Sequence, residues 1–201
     1  MALLKSKPTL LIIDMQNGFV HPSGTFGKMG MPLSDMIDVI HSIQRLREIA
    51  RKHNLPIMYT RLSFASDYSD CFDSPLATGL KALKGFIRGI WDANIVDELN
   101  PAANEIVMDK TRSTAFWKTQ LEEKMTKLGV NQLIVAGVGT NVCVESTVRD
   151  AFTHDVPVLV VSDATAALTK EEYEASLKSM RIFGQVADVA EIERELAKGG
   201  I

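Results

Sequence analysis

Short apolar runs rich in β-branched residues recur along the chain, and longer amphipathic stretches separate them. Most of the runs contain almost no polar positions, which is typical of strands buried on both faces in a parallel sheet between helices. The pattern predicts six strands, at residues 9–13, 56–60, 105–108, 132–136, 157–161 and, more weakly, 185–187.

The stretches between these runs carry apolar residues at helical spacing. Ile37 and Ile40 begin such a stripe in residues 34–53, and Ser34 or Asp35 is suited to cap it. The same criterion predicts further helices at residues 76–83, 114–128, 141–154, 171–183 and 187–198. Because strands and helices alternate throughout, we expect an α/β fold: a three-layer, doubly wound sandwich with a six-stranded, mainly parallel sheet and Rossmann-like topology.

The length of the chain, 201 residues, corresponds to one domain, and we expect residues 1–201 to form it. One long stretch, residues 61–104, shows no clear periodicity apart from the short helix at 76–83. Long loops in compact domains are more often functional than incidental. We therefore expect this stretch to form the lid or wall of a pocket.

The composition limits the kinds of molecule that the protein is expected to bind. Lys and Arg number 22 and Asp and Glu number 25, so the formal charge is −3, and the chain offers no clear basic surface for nucleic acid or an anionic membrane. No apolar run approaches the roughly 20 residues of a membrane span. The eight residues before the first predicted strand are too few for a secretory leader. We expect a cytoplasmic protein that acts on a small molecule.

Polar side chains follow several predicted strands at the point where each strand ends. They are Asp14 after the first strand, Asp109 and Lys110 after the third, the segment 137–143 with Cys143 after the fourth, and Ser162 and Asp163 after the fifth. Ligands of open α/β sheets bind at the carboxyl ends of the strands. An acid, an amine and a thiol are therefore expected to converge on one edge of the sheet.

The chemistry of Asp14, Lys110 and Cys143 is coherent. A thiol at the first turn of a helix and near an ammonium is favoured as thiolate. A nearby carboxylate can accept the thiol proton and later return it to a leaving group. The glycine-rich turn before the helix can offer backbone N–H groups to an oxyanion. The second cysteine, Cys71, lies in the polar loop and is interpreted as incidental, and the pair has no zinc-site spacing.

Three segments carry a resemblance to a known family. They are residues 14–19 (Asp-Met-Gln-Asn-Gly-Phe), Lys110 with Ser113, Ala115 and Phe116, and residues 137–147 (Gly-Val-Gly-Thr-Asn-Val-Cys-Val-Glu-Ser-Thr). These segments resemble the signature segments of the isochorismatase-like cysteine hydrolases. The resemblance extends from about residue 8 to about residue 195, in the same order. It implies a six-stranded parallel sheet and a catalytic triad of aspartate, lysine and cysteine.

Transferred position by position, the resemblance makes Asp14, Lys110 and Cys143 the triad. It implies a cis peptide bond between Val138 and Gly139, and an oxyanion hole built from the N–H groups of Gly139 and Cys143. It also implies a homo-oligomer, a dimer or a tetramer.

The residues after the second predicted strand depart from one branch of that family. The nicotinamidase branch carries an Asp-x-His metal motif there, whereas residues 59–64 read Tyr-Thr-Arg-Leu-Ser-Phe. We therefore expect no metal and no cofactor. Residues 89–99 and 140–151 resemble the branch that hydrolyses small ureido and carbamoyl amides.

Four residues are candidate substrate contacts: Phe19, Trp91, Val138 and Thr140. Small planar amides are commonly bound between aromatic faces and a few polar groups, although packing in the core explains Phe19 and Trp91 equally well. Gln16 is expected to orient the base or the turn. Arg112 is interpreted as a loop cation, with a substrate carboxylate as its alternative partner.

The sequence thus predicts metal-free and cofactor-free hydrolysis of a C–N bond in a small amide, ureide or carbamoyl compound through a thioester on Cys143. Two alternatives stay open. One is hydrolysis of the vinyl ether of isochorismate, which needs Asp14 but not the thiol. The other is a binding protein that keeps the fold without catalysis.

Overall fold

A computed structural model describes residues 3–4 and 7–198 of the chain. Residues 1–2, 5–6 and 199–201 lie outside this description, and they include part of the N-terminal segment in which we expected no secretory leader. Among the described residues, no helix combines the length and the apolar character needed to cross a bilayer.

The core of the molecule is a six-stranded sheet in the order β3-β2-β1-β4-β5-β6, in which every neighbouring pair runs parallel. The strands are β1 (Pro8–Ile13), β2 (Ile57–Leu62), β3 (Ile106–Lys110), β4 (Gln132–Val138), β5 (Val158–Ala166) and β6 (Gln185–Ala187). The predicted α/β fold and parallel sheet are confirmed. The chain reverses its direction of travel across the sheet between β1 and β4, which makes their carboxyl ends the expected ligand site.

Helices cover both faces of the sheet. They are α1 (Asn17–Val20), α2 (Thr25–Lys28), α3 (Ser34–Lys52), α4 (Pro75–Ala82), α5 (Leu121–Leu128), α6 (Glu145–Thr153), α7 (Lys170–Met180) and α8 (Val189–Ala197). Alternate residues of β1 enter different cores: Leu10 and Ile12 pack with α3 and α8, whereas Leu11 and Ile13 pack with α5, α6 and α7. Side chains of successive strand residues point to opposite faces, so the sheet is the middle of three layers.

The N-terminal cap of one helix and the starting residue of another differ from the prediction. The helix α3 starts at Ser34 with Leu33 at the cap position and no side-chain cap. The helix predicted at 114–128 begins only at Leu121, because two threonines divert the backbone. Thr114 Oγ1 accepts a hydrogen bond from the Phe116 N–H, and Thr119 Oγ1 accepts one from the Leu121 N–H. Such local side-chain bonds compete with helical ones.

The strand β5 is longer than predicted and runs on to Ala166, with a register shift against β4. Ser162 and Asp163, which we expected at the end of this strand, therefore lie within it. The Ser162 hydroxyl donates to the Ala187 carbonyl, and Asp163 Oδ1 accepts from the Val189 N–H. These two side chains join β5 to β6 and α8.

The stretch 61–104 is held against the body of the protein by a buried carboxylate. Asp92 Oδ1 accepts from the Thr25 N–H, and Oδ2 accepts from the Thr25 hydroxyl and the Phe86 N–H. The Phe86 ring packs 4.3 Å from the Phe19 ring, and Phe19 packs 4.8 Å from Phe26, measured between centroids. Asp92 thus fixes the cluster formed by the rings of Phe19, Phe26 and Phe86.

Replacement of this carboxylate is expected to loosen the cluster. In Asp92→Asn an amide N–H₂ faces donors where an oxygen accepted before, so the free energy of unfolding should fall by about 2 kcal/mol or more. Urea unfolding followed by circular dichroism measures it. Asp97→Asn, at an exposed position of the same stretch, is the matched control and should change stability by no more than about 0.5 kcal/mol. Equal stability of the two variants would contradict the role of Asp92.

Candidate active site

Asp14 follows the last residue of β1 and lies at the point where the strand order reverses. Its φ of 54° is left-handed, and its N–H donates to the Thr60 carbonyl on β2. Its side chain is fully buried, and Oδ1 accepts a hydrogen bond of 2.8 Å from the Thr60 hydroxyl. The neighbouring strand therefore fixes the orientation of the carboxylate.

Lys110 is the last residue of β3, two strands away from Asp14 in the sheet. Its long side chain spans that gap, and Nζ lies 2.7 Å from Asp14 Oδ2 with both side chains fully buried. The ammonium also donates to the carbonyls of Arg112, at 2.9 Å, and Ser113, at 3.1 Å. Since buried charges need partners, the turn after β3 completes the solvation of this cation.

Cys143 reaches the same point from β4. The chain leaves β4 in a π-helical turn, Thr140–Val144, and only then enters α6, so the predicted helix at 141–154 starts with a wider turn. Such turns recur at functional sites. The sulfur lies 3.6 Å from Lys110 Nζ, and Cys143 is 7% exposed. The hydroxyl of Thr147 donates to the Cys143 carbonyl and holds the turn on α6.

The turn before Cys143 approaches β1 closely. Gly137 has a φ of +119°, and a Cβ there would lie 2.1 Å from the Ile13 carbonyl oxygen. Only glycine fits this backbone position. The peptide bond between Val138 and Gly139 is cis, which confirms the expectation drawn from the family resemblance.

Burial dominates the electrostatics of the site. It raises the pKa of the Cys143 thiol to about 12, with Asp14 adding to the rise and Lys110 opposing it. Burial alone would lower the pKa of Lys110, but the interactions with Asp14 and Cys143 outweigh it and raise that pKa above its ordinary value. Lys110 favours the thiolate, as expected, but burial outweighs this effect, so the net shift of the thiol pKa is opposite to the predicted one. The resting arrangement is a neutral thiol beside an ion pair.

A cavity of about 180 Å³ opens onto Cys143. Its lining side chains are mostly apolar and come from several segments, all of which follow β1 in sequence. They are Phe19, Phe26, Met31, Met36, Leu62, Phe72, Leu76, Val142 and Leu168, with Ser113, Gly139, Asn141 and Glu172 as further lining residues. The stretch 61–104 supplies Leu62, Phe72 and Leu76, in keeping with the predicted wall. Periodicity carried no signal for the contributions of Met31, Leu168 and Glu172.

The four candidate substrate contacts differ in their position relative to the cavity. Phe19 lines the cavity. Trp91 is 48% exposed, beside the His21 ring, and is not among the lining residues. Val138 and Thr140 are buried outside the lining, and the Thr140 hydroxyl bonds to the Thr165 hydroxyl. These residues shape the turn that carries Cys143.

The side chain of Gln16 forms hydrogen bonds with the main chain. Its amide donates to the carbonyls of Leu62 and Ala93, and its oxygen accepts from the Leu62 N–H. These bonds join Gln16 to the end of β2 and to the stretch 61–104, and the orientation of the base or the turn by Gln16 stays a prediction. Within residues 3–4 and 7–198, no group of three or more His, Cys, Asp or Glu is placed to hold a metal ion.

Comparison with known proteins places this geometry in context. The Isochorismatase domain family model matches residues 8–191. The ureidoacrylate amidohydrolase of Caulobacter segnis is 31% identical over 199 residues, covering 92% of this chain and 83% of the relative. The corresponding protein of Methylobacterium radiotolerans is 33% identical and covers 93% and 78%.

Solved structures are similar over nearly the whole chain. A cysteine hydrolase from Pseudomonas syringae pv. phaseolicola superposes with a TM-score of 0.86 at 26% identity, covering 96% of this chain and 93% of that one. An isochorismatase family protein from Desulfovibrio vulgaris superposes with a TM-score of 0.85 at 30% identity, covering 96% and 100%.

The ionisation of Cys143 is directly measurable. Thiolate absorbance at 240 nm, taken as the difference between the wild type and Cys143→Ser, should show no step up to pH 9, because the pKa of the thiol is about 12. In Asp14→Asn the step should move to lower pH, since Asp14 disfavours the thiolate. Asp109→Asn, beside the triad lysine in sequence, is the control and should leave the curve unchanged. A thiolate step below pH 8 in the wild type would contradict this arrangement.

Proposed function

Because the chain belongs to the isochorismatase family, we propose that its triad hydrolyses the C–N bond of a small amide, ureide or carbamoyl compound through a thioester on Cys143. The chain is a hydrolase of the amidohydrolase branch, the branch of the ureidoacrylate amidohydrolases that it resembles. The observation that carries the proposal is that Lys110 contacts both Asp14 and Cys143, and that Cys143 lines a cavity.

The first half of the reaction forms the thioester. The Cys143 sulfur attacks the carbonyl carbon while its proton passes to Asp14, which is suited to accept it because Oδ2 accepts no well-formed hydrogen bond. Lys110 remains protonated and stabilises the developing thiolate. The oxyanion of the tetrahedral intermediate accepts hydrogen bonds from the N–H groups of Gly139 and Cys143.

The second half releases the acyl group. The intermediate collapses, the C–N bond breaks, and Asp14 gives its proton to the leaving ammonia or amine. Water then attacks the thioester carbonyl and loses a proton to Asp14. The leaving sulfur recovers that proton, and the neutral thiol and the ion pair are restored.

The neutral resting thiol agrees with this sequence of proton transfers. A thiol with a pKa near 12 is a weak nucleophile at neutral pH unless a base removes its proton during attack. The predicted cytoplasmic location and the predicted dimer or tetramer belong to the same proposal, and size-exclusion chromatography with light scattering tests the latter.

Removal of the nucleophile is the first test. Cys143→Ala should lower kcat/KM for ammonia release from an amide or ureide substrate by at least about 10³-fold, because no thioester can form. Cys71→Ala, at the half-buried second cysteine, is the matched control and should keep near wild-type activity. Retained activity in Cys143→Ala would favour the vinyl-ether mechanism, in which the thiol has no part.

Metal removal is the second test. Activity should survive dialysis against EDTA, since every step is assigned to side chains and backbone N–H groups of this chain. Inductively coupled plasma mass spectrometry of the dialysed protein reports residual metal. A loss of activity that zinc or another divalent ion restores would overturn the metal-free assignment.

A further inference from the structure

We infer that the substrate carries an uncharged, apolar group beyond its scissile bond and no carboxylate. This inference rests on the proposed function, because it concerns the part of the substrate that fills the cavity above Cys143. The cavity is small, with a volume of about 180 Å³. The cavity therefore suits one small side group and not a polymer.

The wall of the cavity is mostly apolar. The lining includes the side chains of three phenylalanines and two methionines, which are Phe19, Phe26, Phe72, Met31 and Met36. The polar side chains among the lining residues are few, and none of the lining residues in the described part of the chain is a lysine or an arginine. Such a surface stabilises an apolar group by removing it from water.

The ammonium next to the cavity is not available to a substrate anion. Lys110 Nζ already has the Asp14 carboxylate at 2.7 Å, two backbone carbonyls within 3.1 Å and the thiol at 3.6 Å. The two carbonyls and the thiol accept from its three N–H donors, and the Asp14 carboxylate pairs with its charge. A substrate carboxylate would have to displace Asp14, which the reaction requires.

The arginines on the neighbouring segments are also engaged. The Arg112 guanidinium donates to the carbonyls of Asp70 and Thr111 and lies 4.5 Å from the centroid of the Trp117 ring. It is not among the lining residues, so the structure favours its interpretation as a loop cation.

Two further arginines pair with carboxylates. Arg61 pairs with Asp109 at 2.8 Å, and Arg88 pairs with Asp70 at 3.0 Å. Neither arginine lines the cavity.

The ionised side chain that does line the cavity has the opposite sign. Glu172 is exposed at the first turn of α7, where Oε2 accepts a hydrogen bond from the Thr169 hydroxyl. Its negative charge repels an approaching carboxylate. A buried carboxylate without a partner is strongly disfavoured. Ureidoacrylate, the compound in the relatives' names, is a carboxylate, so this chain should differ from them in its substrate.

Matched pairs of substrates test the inference. Hexanamide and methyl glutaramate are neutral, whereas glutaramate has the same amide end and a carboxylate at the other; n-butylurea and 3-ureidopropionate form the equivalent ureide pair. Ammonia release should give kcat/KM values at least about tenfold higher for the neutral members, because the carboxylate loses its hydration without gaining a partner. Equal or higher values for the carboxylates would overturn the inference while leaving the proposed function intact.

Binding to Cys143→Ala separates the two proposals, because it does not depend on turnover. Isothermal titration calorimetry should show tighter binding of the neutral members. This preference together with an inactive wild type would defeat the proposed function alone. Tighter or equal binding of the carboxylates, or no binding of the neutral compounds at millimolar concentration, would overturn the inference.

A charge placed on the wall provides the converse test. Met31→Lys keeps a side chain of similar length and adds a cation, so it should raise the ratio of kcat/KM for glutaramate over hexanamide by about tenfold. Met31→Leu is the matched control and should leave the ratio unchanged. If Met31→Lys does not raise the ratio, the distal end of the substrate lies elsewhere and the inference fails.

Discussion

The buried ion pair between Asp14 and Lys110 is the interaction on which the rest of the site depends. Two full charges without contact to solvent are costly unless every remaining donor and acceptor is satisfied. Thr60 on β2 donates to Asp14 Oδ1, and the carbonyls of the turn after β3 accept from the ammonium, whereas Asp14 Oδ2 has only the charge of Lys110 beside it. The ion pair thus aligns the carboxyl ends of the three strands on one side of the sheet, and β4 adds the thiol to them. The contacts that hold these strand ends together are therefore the same ones that orient the side chains of the candidate site.

The same burial decides how the thiol is used. A more exposed cysteine at a helix start would rest as thiolate and react with many electrophiles. Here the low-polarity surroundings favour the neutral thiol, so in the proposed reaction the sulfur becomes reactive only when a carbonyl compound fills the cavity and Asp14 takes the proton. Burial of the sulfur then explains both the selectivity of the thiol for its substrate and its protection from adventitious alkylation or oxidation.

Much of this could be predicted from the sequence where local pattern carries the information. The strands are apolar runs, and Asp14, Lys110 and Cys143 each lie at or just beyond a strand end, so the parallel topology alone brings them together. The features that pattern could not reveal depend on contacts between distant segments. Asp92 draws its partners from two other segments, and Thr114 and Thr119 undo a stretch with good helical periodicity through side-chain bonds. The direction of the thiol pKa shift required knowledge of burial.

The position of Lys110 on β3 has a further physical consequence. β3 is an edge strand with a neighbour on one side in the described sheet, whereas Asp14 and the turn with Cys143 follow central strands. Edge strands open locally at a lower free-energy cost than the centre of a sheet. The proposed catalytic centre is therefore only as stable as the edge of the sheet. Brief local opening of β3 would separate the ammonium from the carboxylate while the core stays folded.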